Sequence, residues 1–135
     1  MIDLANGAAG PFAATMLADF GAEVVKVERP GAGDPMRQWD SAGGMWWRSM
    51  SRGKRSIALD LGDEQGKAVL KDLVVKADVL IESFRPGVLE RLGLGPEVLQ
   101  SWNPELIVLR VSGYGQTGPY RHRPGYGKAA EAFAL

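Results

Sequence analysis

Apolar residues are grouped along the chain in short runs of two kinds, with glycine and proline between them. Residues 22–28 are valine-rich and partly alternating through Val24, Val25 and Val27, which predicts a strand. Residues 77–82 and 105–111 hold the unbroken apolar runs Val79-Leu80-Ile81 and Leu106-Ile107-Val108-Leu109. Such runs suit strands covered on both faces, as in a parallel sheet. Met1-Ile2-Asp3-Leu4 reads as the stump of a further strand and Ser56-Ile57-Ala58-Leu59 as another. Helical spacing lies between them. Residues 11–20 open on Pro11, where a missing N–H costs nothing, and stop before Gly21. Asp63 stands as a cap for a helix whose apolar stripe is Val69, Leu70, Leu73 and Val74. Pro96-Glu97-Val98-Leu99 opens a short third helix. Strands alternating with helices predict an α/β fold with a Rossmann-like, open, mostly parallel sheet flanked by helices. Right-handed crossovers follow from that pattern.

Residues 30–55 fit neither period and are expected as a long loop, with Trp39, Trp46 and Trp47 among glycines and basic residues. Residues 128–135 begin a helical pattern without a glycine stop, and the first strand lacks a lead-in. The expectation is the front part of a longer protein, with residues 1–135 as one N-terminal portion and no complete second domain.

Composition narrows the chemistry. The formal net charge is +0, from 16 basic and 16 acidic residues, so the counterion release that drives nucleic-acid binding has no overall source. With no cysteine and one histidine, disulfides, zinc ribbons, thiol nucleophiles and histidine-rich metal sites are excluded by count. No run reaches the ~18 apolar residues of a membrane span and no signal peptide is visible, which reads as a cytoplasmic protein. Glycine, at 18 of 135 residues, is nearly twice as frequent as the usual ~7%. Glycine in excess implies tight turns or backbone lying close to a ligand.

Five segments could carry chemistry, and each also has a plain structural reading. Gly7-Ala8-Ala9-Gly10-Pro11 joins a strand to a helix; small residues there let amides approach a phosphate, or simply make the turn. Glu28 stands at a strand end where dinucleotide folds place the ribose-binding acid, but the glycine fingerprint is missing. Arg29 beside it suits a nucleotide phosphate; the two together are otherwise a solvated pair. Arg48, Arg52, Lys54 and Arg55 form a local basic knot fit for a compact anion, or a solvated loop. After the strand at residues 77–82, Phe84 is placed to stack on a base and Arg91 to reach a phosphate, or Phe84 belongs to the core. Ser112 to Gly127 is glycine-rich; His122 lies between Arg121 and Arg123, which disfavour its protonation, and reads as a surface histidine.

In order and spacing these segments resemble the N-terminal part of the class III CoA-transferases, the CaiB/BaiF family. Four collinear runs carry the resemblance: residues 18–28, 53–61, 77–87 and 111–115. It implies coenzyme A or an acyl-CoA thioester as substrate, small carboxylic acids as partners, no metal, no nucleic acid, no membrane, and an intertwined homodimer at full length. It implies that Gly7 and Ala8 line the CoA site by backbone. Arg29 and Lys54 would face the phosphates, Ser83 and Phe84 would sit by the adenine or pantetheine, and Arg91 and Leu92 would surround the adenosine. Arg123 occupies a position where a basic residue is common. The family's aspartate nucleophile would lie beyond Leu135, so none of Asp19, Asp34, Asp60 or Asp78 is nominated. Three departures bear on the chemistry: Gly127 where relatives carry an acid, Tyr126 where racemases carry histidine, and Ser83 where transferases carry asparagine. The expected function is the CoA-binding portion of an enzyme moving CoA between carboxylic acids. The alternatives are an inactive CoA- or nucleotide-binding fragment, an acyl-CoA racemase-like domain, or a nicotinamide-dependent oxidoreductase domain.

Overall fold

The computed structural model describes residues 1–39 and 44–127 and Ala132. In chain order it holds β1 (Ile2–Asp3), α1 (Ala9–Asp19), β2 (Val24–Glu28), a 3-10 turn (Pro35–Gln38), α2 (Met45–Met50), β3 (Lys54–Ala58), α3 (Glu64–Val74), β4 (Val79–Glu82), α4 (Val88–Arg91), α5 (Pro96–Trp102) and β5 (Ile107–Arg110). The strands form one parallel sheet in the order β3-β2-β1-β4-β5. Its first three strands are laid outward from β1 on one side. The connection through α3 then recrosses β1, and β4 and β5 build the other side. The order therefore reverses between β1 and β4, and a crevice opens there at the carboxyl ends of the strands.

Alternate residues along each strand feed opposite faces. Ile2, Leu4, Val27 and Leu80 join Leu70 and Val74 of α3, Leu89 of α4 and Leu99 of α5 in the larger core. Val24 and Ile81 join Ala5 and Ala14, on α1, in a smaller one. The helix α1 lies close because its side chains there are small. A Cβ at Gly10 would stand 2.4 Å from the Cβ of Ala5. Its end is a Schellman motif: Gly21, at φ +97°, donates to the Ala18 carbonyl and Ala22 to that of Leu17.

The structure amends several expectations. In α3 the fully buried line is Gly66, Leu70 and Val74, at spacing four, while Val69 is 40% exposed. Asp63 has the extended backbone of a cap, but its side chain accepts no capping hydrogen bond. β5 is an edge strand, and Ile107 is 63% exposed, so it is not covered on both faces among the described residues. Residues 30–55 are not one irregular loop. They hold the 3-10 turn, started by Pro35 and the Asp34 carboxylate accepting from the Met36 amide, then α2 and the first residues of β3. The helical pattern at 128–135 falls, but for Ala132, outside the described residues.

Candidate functional site

Two clefts lie at the carboxyl ends of the strands. The larger, about 720 Å³, is walled by the loops after β1, β4 and β5, at the point where strand order reverses. The smaller, about 510 Å³, lies over the ends of β1, β2 and β3. Asn6, Pro35 and Phe84 stand in the walls of both, so the two clefts meet at those side chains.

Of the residues expected to bind, Gly7, Ala8, Ser83 and Arg123 line the larger cleft and Arg29 and Leu92 the smaller, with Phe84 at the junction. Gly7 has φ +74°, and Ala8 is the N-cap of α1, so the start of that helix opens on the larger cleft. Ser83 ties the two central loops together. Its oxygen accepts from the Asn6 amide at 2.8 Å, and its hydroxyl donates to the Asn6 carbonyl at 3.2 Å. Phe84 is also packed against the larger core, as its structural reading expected.

Lys54 and Arg91 are placed differently. Lys54 lines neither cleft. Its ammonium is bonded to Asp3 at 2.8 Å and to the Pro11 carbonyl at 2.7 Å, with the side chain 1% exposed. Burial pushes the Lys54 ammonium below its ordinary range, and the Asp3 carboxylate opposes that. Arg91 is exposed at the end of α4, outside both walls, and only its neighbour Leu92 reaches the smaller one. Arg29, Lys54 and Arg91 thus do not share one cleft.

The basic knot around Lys54 is likewise dispersed. Arg52 pairs with Asp19 and Arg55 with Glu23 on the surface.

Beneath the larger cleft lies an ionic group that sequence reading missed. Lys26, Asp3 and Asp34 are each no more than 1% exposed. Lys26 Nζ stands 3.0 Å from Asp34 and 3.7 Å from Asp3, and donates to the Ala5 carbonyl. Asp3 accepts from the Ala5 amide at 3.0 Å, and Asp34 from the Gly7 amide at 3.4 Å. Charge is balanced within the group by Lys54, and the loop from Ala5 to Gly7 hangs from it. The only signal in sequence was charge inside strand patterns: Asp3, Lys26 and the Lys54 that opens β3.

Two further pairs shape the walls. Glu28 is bidentate to Arg37, with Nε at 2.7 Å and Nη2 at 2.8 Å, and also accepts from the Asp34 amide and the Ser56 hydroxyl. Burial would raise the Glu28 carboxyl, but these donors outweigh it and hold it at about 2. Both oxygens are therefore committed, and Glu28 has no place for ribose hydroxyls. That counts against the nicotinamide alternative. On the other side, Arg110 pairs with Glu82 at 2.7 Å and Glu90 at 2.8 Å, while Glu82 accepts from the Phe84 amide. This fixes Phe84 and α4 beside the crevice. His122 is exposed and accepts from Arg121 Nε at 2.9 Å, as a surface histidine. Among the described residues, no helix is long and apolar enough to cross a membrane, and no cluster of three or more His, Asp or Glu side chains could hold a metal ion.

Known proteins match both the sequence and this geometry. The chain is 51% identical over 136 residues to the succinyl-CoA–D-citramalate CoA-transferase of Chloroflexus aurantiacus, covering 98% of this chain and 34% of that one. It is 44% identical over 137 residues to the acetyl-CoA:oxalate CoA-transferase of Acetobacter aceti, covering 99% and 35%. Among solved structures, a hypothetical protein from Mycobacterium tuberculosis superposes with a TM-score of 0.92 at 44% identity, over 98% of this chain and 38% of that one. A CaiB/BaiF family protein from Brucella suis does so at 0.91 and 39% identity, over 98% and 37%. The chain thus spans about a third of the length of these curated relatives. The profile of CoA-transferase family III runs from residue 1 to residue 134, through every strand and loop that builds the two clefts, and the chain belongs to that family.

Proposed function

We propose that the chain is the N-terminal part of the CoA-binding domain of an enzyme that moves CoA between small carboxylic acids. The supporting observation is the pair of clefts meeting at Phe84 on the switch point of a parallel sheet. CoA is a long molecule with a polyanionic head and a thin thiol arm, and two adjoining clefts suit that shape. The nucleotide end lies in the smaller cleft, with Arg29 at the phosphates and Phe84 and Leu92 on the adenosine. The pantetheine arm passes Ser83 and the amides of Gly7 and Ala8 into the larger cleft, where the start of α1 favours negative charge.

The reaction proceeds by covalent catalysis at an aspartate outside these residues. Its carboxylate attacks the donor acyl carbonyl and expels CoA thiolate, leaving a mixed anhydride. The thiolate then attacks the aspartyl carbonyl of that anhydride. This gives an aspartyl-CoA thioester and releases the donor acid. The acceptor carboxylate attacks the thioester, frees the thiolate again, and receives it at its own acyl carbon. Each exchange replaces one difficult transfer by two easier ones. What the present residues contribute is a held thiol arm and amides near the thioester. An intertwined homodimer at full length completes the reading, as the family resemblance implies.

Titration of CoA into the purified full-length protein and its Arg29→Ala variant tests the nucleotide end. A charged hydrogen bond of the usual strength corresponds to about a ten- to hundredfold loss of affinity. Equal affinity in the two proteins would remove Arg29 from the site.

A further inference from the structure

Every backbone donor and acceptor from the Ala5 amide to the Gly7 amide is taken by a side chain. The Ala5 amide donates to Asp3 at 3.0 Å, and the Ala5 carbonyl accepts from Lys26. Ser83 takes both the amide and the carbonyl of Asn6. The Gly7 amide donates to Asp34 Oδ1 at 3.4 Å. That last bond is long, but its acceptor is a buried carboxylate, and bonds to charged acceptors are the stronger kind. A loop so fully accounted for has its path set before a ligand arrives. Asp3, Lys26 and Ser83 sit on strands of the sheet or next to one. Asp34 does not: it comes from the segment between β2 and the 3-10 turn, and it lines neither cleft itself.

That segment also serves the other cleft. Arg29, Ala32, Gly33 and Pro35 line the smaller one. On this side the chain is closed without the Asp34 carboxylate. Gly33 donates to the Arg29 carbonyl at 2.9 Å, and Glu28 accepts from the Asp34 amide at 2.9 Å while gripping Arg37. The turn is drawn tight: a Cβ at Gly33 would stand 2.8 Å from Arg37 and 3.0 Å from the Glu28 carboxylate. The Asp34 carboxylate reaches the opposite way, into the interior. Its Oδ1 accepts from the amides of Gly7 and Met36, and its Oδ2 stands 3.0 Å from the Lys26 ammonium. Trp39, just past the 3-10 turn, adds a second contact on the same glycine, 3.4 Å from where a Gly7 Cβ would be. One short segment thus faces the nucleotide end of the site on one side and clamps the loop at the thiol end on the other.

We infer that Asp34 is a positioning residue for CoA. Through Oδ1 it sets the Gly7 loop of the larger cleft against the Arg29 turn of the smaller one, so that both ends of one CoA molecule meet their contacts at a fixed spacing. The inference rests on the CoA-binding reading above. A ligand held at two places gains from the link between them when the geometry of both is already matched to its length. With the loop loose, the thiol arm has to order it on binding, and that ordering is subtracted from the affinity.

Calorimetric titration of the full-length protein with two ligands tests this: CoA, and adenosine 3′,5′-bisphosphate, a piece of its nucleotide end without the thiol arm. Asp34→Ala is expected to weaken CoA binding by about tenfold, the ordering cost of roughly one residue of backbone. The bisphosphate should bind the variant as it binds the wild type, because Glu28 still closes the turn. Asp34→Asn loses the same charge but keeps an acceptor for the Gly7 amide, so it should restore most of the CoA affinity. Both substitutions take a counter-charge from the buried Lys26. Should they fail to fold, the same pair is compared with Lys26→Met added, which leaves Asp3 and Lys54 as a balanced ion pair. Equal CoA losses in the alanine and asparagine variants would assign the effect to charge and overturn the inference. So would a parallel loss of both ligands, which marks a general weakening of the fold. So would a CoA affinity unchanged in Asp34→Ala. A wild type that does not bind CoA contradicts the CoA-binding reading, and the inference with it.

Discussion

Replacing Asp3 by alanine is expected to lower the unfolding free energy by about 3–5 kcal/mol, the usual cost of leaving a buried charge without its partner. Asp3 is fully buried and faces two ammonium groups, Lys54 at 2.8 Å and Lys26 at 3.7 Å. Removing it leaves both lysines buried with Asp34 as the one remaining carboxylate of the group. The Ala5 amide also loses its acceptor, so the loop that carries Gly7 and Ala8 is loosened. Pairing the change with Lys54→Met restores the charge balance. The double variant should then lose clearly less than the sum of the two single losses, as a double-mutant cycle on urea unfolding reads it. A loss below about 1 kcal/mol in Asp3→Ala would mean that water reaches this group and that it does not organise the loop.

Acid is expected to act chiefly through Glu28. Its carboxyl is held at about 2, against 4.5 when unfolded. A carboxyl depressed by folding contributes its stabilisation fully above the unfolded value. The contribution is lost as pH falls from about 4.5 through about 2. Its size is on the order of 2 kcal/mol once screening of Arg37, whose side chain is 42% exposed, is allowed for. Unfolding free energy measured between neutral pH and pH 2 should therefore fall more in the wild type than in Glu28→Gln, which has no proton to take up. The variant should be the less stable protein at neutral pH, because it exchanges a charged acceptor for a neutral one. Parallel pH curves for the two proteins would assign the acid loss to other carboxyls.

The α/β class and the strands β2, β4 and β5 could be read from sequence because their apolar runs are valine-rich or unbroken and lie between segments of helical spacing. The cover on β5 could not, since a run of Ile107, Val108 and Leu109 looks the same at an edge as at the centre of a sheet. The helix and strand starts hidden in residues 30–55 depend on tertiary contacts. Asp34 shapes its turn while also holding Lys26, 8 positions earlier in the chain. The site shows the same division. Gly7, Ala8, Ser83, Phe84 and Leu92, which the family resemblance pointed to, stand in the walls of the two clefts. Lys54 does not, because sequence shows a charge and not its partner, and Asp3 lies 51 residues away. The close contact between Gly113 and Gly125, 12 residues apart, closes the neck of the last loop and has no local signal in the sequence.

A crystal structure of the full-length protein with CoA bound tests the central claim most directly. The account predicts the adenosine and phosphates beside Arg29 and Leu92, and the thiol arm past Phe84 and Ser83 in the larger cleft. CoA bound away from the β1–β4 crevice, or both clefts empty in crystals that hold CoA elsewhere, would contradict it.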